Sequence, residues 1–69
     1  MMCERYFVVK FSKISGENIL LGKYGHRVVD LFNDGYKTYA AADNLCYRKT
    51  LKALERDTPF RYSVICFTI

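Results

Sequence analysis

The two ends of the chain carry nearly the same eight residues. Arg5-Tyr6-Phe7-Val8-Val9-Lys10-Phe11-Ser12 is matched, position for position, by Arg61-Tyr62-Ser63-Val64-Ile65-Cys66-Phe67-Thr68. Both segments read as β-strands in the same phase, with side chains alternating between two faces. Strands of one phase at the two ends predict that the first and last segments lie in one sheet. They also divide that sheet into a strongly apolar face and a mixed face that bears tyrosines.

At 69 residues the chain makes one domain. A domain this short buries only about 60% of its unfolded surface, so its stability is marginal. The sequence is nevertheless 51% hydrophobic and 16% aromatic, with one proline and four glycines. That composition builds a packed core and is far from the signature of disorder.

Four further elements follow the opening strand, which runs from about Arg5 to Lys13. Ser15-Gly16-Glu17-Asn18 is a turn by composition. A second strand is expected over Ile19 to Tyr24, and Gly25-His26 turns the chain again. Arg27 to Phe32 has the β-branched character of a third strand. Asn33-Asp34-Gly35 then closes it with residues that tolerate tight turns. Thr38 is a good N-cap for a helix from Tyr39 to about Arg56, rich in alanine and leucine. Asp57-Thr58-Pro59 ends the helix, because proline disfavours helical backbone at the residue before it. The last strand runs from Phe60 to Ile69. The predicted architecture is α+β: a small antiparallel sheet of about four strands in the order β-β-β-α-β, with one helix packed on one face.

At about 100° per residue, one arc of the helix carries Ala42, Ala53, Cys46, Tyr39, Leu54, Tyr47, Ala40 and Leu51. That arc is expected to face the sheet. The opposite arc carries Glu55, Arg48, Ala41, Lys52, Leu45, Arg56 and Lys49, and is expected to face solvent. Phe7, Val9, Phe11, Ile65, Phe67 and Ile69 are expected beneath the helix. Tyr6, Val8, Lys10, Tyr62, Val64, Cys66 and Thr68 would then form an open face that meets solvent, a second copy or a partner. Asp43 falls within the inner arc. A carboxylate there needs a partner such as Arg27 or Lys37, or else draws support from the helix dipole in the first turns.

No catalytic set can be assembled. The single histidine, His26, stands in a turn without an acid and nucleophile arranged about it. Cys3, Cys46, Cys66 and His26 lack the paired short spacing of a zinc site, and the glycines match no phosphate-loop spacing. No cofactor is expected. An odd cysteine count does not suit a disulfide framework. The start Met1-Met2-Cys3-Glu4-Arg5 lacks the order of a signal peptide. No apolar run approaches the ~20 residues that span a bilayer. These features predict a cytoplasmic, non-membrane protein with reduced thiols.

The formal net charge is +4, which permits an acidic or phosphate-bearing partner. Two surfaces are candidates for binding. One is the basic helix face, with Arg48, Lys49, Lys52 and Arg56 around Leu45. The other is the open sheet face, with Tyr6, Tyr62 and Lys10, since tyrosine offers large contact area with a polar tip. The open face is also where a homodimer would form.

Gly35-Tyr36-Lys37-Thr38-Tyr39-Ala40-Ala41-Ala42 resembles the strand-to-helix junction of the three-strand-plus-helix DNA-binding domains of integrase type. There a glycine, an aromatic and a capping threonine precede an alanine-rich helix. This resemblance implies nucleic-acid binding. In size and layout the whole chain resembles small inhibitors encoded by phages and mobile elements, including anti-CRISPR and related anti-defence proteins. That resemblance implies a non-enzymatic inhibitor or regulator that docks on a host protein or ribonucleoprotein complex and blocks it. The positive charge excludes the mode in which such proteins mimic DNA with an acidic surface.

Overall fold

A computed structural model describes residues 4–69. Cys3, one of the residues weighed as a zinc ligand, lies outside the described residues. The architecture is α+β: a three-stranded antiparallel sheet with one long helix on it. Strand β1 spans Glu4–Ser12, β2 spans Asn18–Leu21 and β3 spans Phe60–Thr68, in the order β2-β1-β3. Strands β1 and β3 pair along their full length, from Glu4 opposite Thr68 to Ser12 opposite Phe60.

There is no third strand over Arg27–Phe32. Only Arg27 makes an isolated bridge, to Leu21. Asp30 then caps a short helix, α1 (Leu31–Asp34), and its carboxylate accepts from the Phe32 and Asn33 amides at 2.9 and 3.4 Å. In return, the Asp34 carboxylate accepts from the Val29 and Asp30 amides at 2.8 and 3.0 Å. Two aspartates four residues apart thus satisfy the backbone donors that a strand would have used, and the β-branched run yields to local capping. Gly35 follows with φ −84°, so it is not the positive-φ turn residue expected there.

The long helix, α2 (Tyr39–Glu55), begins as expected at Thr38, whose hydroxyl accepts from the Ala41 amide at 3.3 Å. It ends in a Schellman arrangement. The Thr58 amide donates to the Ala53 carbonyl at 3.0 Å and the Asp57 amide to that of Leu54 at 3.2 Å. Asp57 holds φ 50°, a left-handed conformation that aspartate tolerates better than most residues.

The helix covers the face opposite to the expected one. Its inner stripe is Ala42, Leu45 and Ala53, flanked by half-buried Cys46 and Lys49. Leu45 packs with Val8 and Leu21, and Ile19, Tyr36, Cys46 and Tyr62 close around them. The strand register puts Tyr6, Val8, Lys10, Tyr62, Val64 and Cys66 on this side. The reason is steric. Ala42 and Ala53 let the helix approach closely, and Leu45 fills the centre over Val8. The long Tyr and Lys stems run outward to the rim, where their polar ends stay wet. Tyr39, Tyr47, Leu51 and Leu54, expected inside, are exposed instead, and so is Asp43.

The other face is partly sealed by chain rather than by helix. Phe7 is fully buried there, beneath the loop at Gly35 and against Phe67, with ring centroids 5.5 Å apart. A Cβ on Gly35 would lie 2.8 Å from the Phe7 ring, so the bare backbone makes this closure possible. Arg5 adds to the seal. Its guanidinium lies 4.5 Å above the Phe32 ring, and its Nε donates to the Phe32 carbonyl at 3.0 Å. Phe11 and Ile65 on the same face remain more than a third exposed.

Candidate functional site

Residues expected on two separate surfaces meet in one groove. Because α2 lies on the tyrosine-bearing face, Lys10 and Tyr62 of the sheet stand against Lys49, Lys52 and Arg56 of the helix. Together with Ala53, Thr58 and Phe60 they line a cleft of about 190 Å³. Lys10 and Tyr62 are direct cross-strand partners, so the register fixes them side by side. Lys49, Lys52 and Arg56 recur at three- and four-residue spacing, which brings them to one side of the helix.

The lining holds four cations and no carboxylate. Some of that charge has a structural role. Lys52 and Arg56 stand in and just past the last turn of α2, where the helix dipole places about half a negative charge. Half a charge does not balance four. Cations sharing such a cleft repel one another by about 0.5 kcal/mol per pair at ~8 Å in water, a cost that an anion between them would remove. Lys10 is held at the cleft by Phe60, its ammonium 4.0 Å from the ring centroid. Lys49 is held from the other side, since its Cε and ammonium lie beside Gly25 of the 3₁₀ turn Lys23–Gly25.

Tyr62 supplies the polar aromatic wall. Burial pushes its phenol above the ordinary tyrosine value, so at neutral pH it is an uncharged hydroxyl that can donate to an anion. Thr58 adds a second hydroxyl, which donates to the Ala53 carbonyl at 3.3 Å. A neighbouring hollow beyond Lys10 and Phe60, lined also by Ser12, Ser15 and Ile19, carries one acid, Glu17.

Three of the expected binding residues lie elsewhere. Leu45 is 5% exposed and belongs to the core beneath the helix, because the helix is rotated from its expected setting. Arg48 lines an adjoining hollow with Tyr24, Leu51 and Glu55, which shares Lys49 and Lys52 with the groove. Tyr6 pairs with Cys66, four residues along β1 from the Lys10–Tyr62 pair, because the terminal strands run antiparallel. Its ring packs edge-on against Tyr39 at 6.0 Å, and its hydroxyl donates to the Glu4 carboxylate at 3.0 Å. That hydrogen bond to Glu4 holds the Tyr6 phenol above its ordinary value.

Phe60 and Thr58 are the groove residues that the sequence did not single out. Phe60 shares its phase with Tyr62, so fixing the register would have found it. Thr58 carries no sequence signal beyond its place before Pro59.

Among the described residues, Cys46 and Cys66 are free thiols, and burial raises that of Cys46 above its ordinary value. No three of the described His, Cys, Asp and Glu residues cluster as a metal site would require. No described helix is long and apolar enough to cross a membrane. Comparison with protein families, curated proteins and solved structures finds no match for this chain.

Proposed function

We propose that this chain is a non-enzymatic binding protein that docks through its basic groove on the phosphodiester backbone of a nucleic acid, free or within a ribonucleoprotein. One observation carries the reading: four cations, one from strand β1 and three from the last two turns of α2 and its C-cap, line one cleft with Tyr62 and Phe60 and without a carboxylate. Phosphate oxygens satisfy that arrangement better than a mixed protein surface does. Charge-assisted bonds from lysine and arginine reach them, and an aromatic wall gives a base a face to stack on.

The mode of action is occupation rather than chemistry. A body with extents of 42 × 22 × 15 Å covers a stretch of backbone and keeps other molecules from it. That is the blocking role expected of an inhibitor or regulator of a host complex. The free thiols of Cys46 and Cys66 suit a reducing compartment, which supports a cytoplasmic setting for this reading.

Fluorescence anisotropy tests this directly, with labelled single-stranded RNA, duplex DNA and an intact ribonucleoprotein as three arms. Affinity for a bound strand should fall with salt at a log–log slope of about −2 to −3, from about −0.7 per phosphate contacted on a single strand. Lys49→Glu, Lys52→Glu and Arg56→Glu together should abolish binding, whereas Arg48→Glu, outside the groove, should weaken it only slightly. Binding confined to the ribonucleoprotein arm identifies the assembly as the partner. No binding in any arm, or full affinity in the triple variant, ends the reading.

A further inference from the structure

Strand β3 reads Phe60-Arg61-Tyr62-Ser63-Val64-Ile65-Cys66-Phe67-Thr68. It contains no proline, no glycine and a single charge. It is also an edge strand, since the order β2-β1-β3 leaves its outer side without a neighbour among the described residues. Natural proteins blunt such edges with charge, proline, bulges or shortness. Edge β2 has the last of these devices: it is four residues long, and Arg27 bridges Leu21 at its end. Edge β3 has only the one charge, Arg61, over nine residues.

The bonding phase identifies the free groups. Tyr6 exchanges both backbone bonds with Tyr36, on the β2 side of β1. Even-numbered residues of β1 therefore point away from β3, and their opposite numbers in β3 point away from β1. Phe60, Tyr62, Val64, Cys66 and Thr68 thus direct N–H and C=O outward along the open edge.

We infer that this edge pairs with the same edge of a second copy, antiparallel about a two-fold axis at Val64, to give a continuous six-stranded sheet. The edge is self-complementary in that register. Val64 meets Val64 of the second copy, Tyr62 meets Cys66, and Phe60 meets Thr68, each pair composed of outward-facing residues that exchange both bonds. Arg61, the one charge, meets Phe67 and no like charge. The interface is isologous, and pairing stops at two copies because only the short, bridged β2 edges remain outside.

A second observation selects a copy of this chain over an isolated extended peptide. The flank of α2 above the β3 edge is apolar and uncovered, with Tyr47 64% and Leu54 73% exposed. Leu54 joins Thr50, Arg61 and Tyr62 around one hollow on that side. The two-fold keeps both helices on one side of the sheet. Each helix rides over β3 and β1, so the pair would lie about 10 Å apart, two strand spacings, within the range of packed helices. A lone strand would complete the backbone ladder but leave Tyr47 and Leu54 wet.

The inference is independent of the basic groove and is tested by mass in solution. Sedimentation of the full chain at about 100 μM, far above a micromolar dissociation constant, should give a two-copy mass. Cys66→Pro removes an outward N–H that β1 does not use, so circular dichroism should be retained while the dissociation constant rises at least about tenfold. Leu54→Asp, on an exposed helix position, should weaken the dimer without touching the strand, and it decides the matter if the proline variant does not fold. A monomer at the highest concentration overturns the inference. So does a dimer that survives Leu54→Asp and a folded Cys66→Pro, or one lost instead through Phe11→Asp on the open face.

Discussion

The two faces of the sheet are closed by different means. The even-numbered face of β1 lies under a helix, with Val8 at its centre and tyrosine and lysine stems at its rim. The odd-numbered face lies under a loop that reaches only one end, so Phe7 is fully buried while Phe11 is 36% exposed. Hydrophobicity alone would assign the helix to the odd face, which carries three phenylalanines and an isoleucine. What decides is fit. A helix whose inner stripe is small packs closely over Val8, and the bulky phenylalanines find cover from a glycine loop and from one another. The consequence for function is that the cationic rim of the helix-covered face becomes a groove, which an uncovered face would not have formed.

If the loop closes its end of the odd face as completely as the helix closes the other, Phe7→Ala should be among the most damaging changes in the chain. Removing a buried phenylalanine costs about 3–5 kcal/mol. A chain of this size has about 3–10 kcal/mol in total, at roughly 0.05–0.15 kcal/mol per residue. Urea unfolding should show most of the stability lost. A cost below about 1 kcal/mol would mean that the loop does not exclude water from Phe7, and the two faces would no longer be comparable.

Much of this division could be read from the sequence, because strand phase is a local property. The pairing of the termini followed from the shared phase of Tyr6–Val8–Lys10 and Tyr62–Val64–Cys66. The helix and its Thr38 cap followed from equally local signals. Which face received the helix was not local. It depended on the rotation of α2, and a helix with alanines at 40, 41, 42 and 53 has no sharp apolar stripe to announce its orientation. The sequence therefore puts Leu45 outside and splits the groove between two surfaces, although it points to five of the lining residues. The short helix α1 is hidden in the sequence for another reason. Arg27 to Phe32 has strand propensity, but the reciprocal capping by Asp30 and Asp34 outweighs it, and the strand motif gives no weight to such pairs.

Asp34 makes the loop-sealed face sensitive to acid. The amides of Asp30 and Val29 that donate to Asp34 hold its carboxyl below the usual aspartate value of 3.8. A group with a depressed folded value contributes stability that is fully present above pH 3.8 and is lost as pH falls toward the folded value. Melting temperature should therefore fall more steeply below pH 4 in the native chain than in Asp34→Asn. Amide exchange at Val29 and Asp30 should rise over the same interval, before exchange at Val8. Equal exchange at all three sites would show that the loop and the helix open as one unit.

The smallest effect is expected where neither the helix nor the loop reaches. Phe11 lies at the far end of the odd face, opposite Arg61 and two residues beyond Val9. Its ring already meets water, so trimming it removes little buried area and leaves no closed cavity. Threonine keeps the branched shape that a strand favours. Phe11→Thr should cost less than about 1 kcal/mol, measured by the same urea unfolding as Phe7→Ala. The residues have the same chemistry, the same strand and the same face, and differ by one turn of the pleat in each direction from Val9. A large loss at Phe11 would mean that this end of the face is covered in solution, and the asymmetry between loop-sealed and open ends would belong to the isolated chain alone.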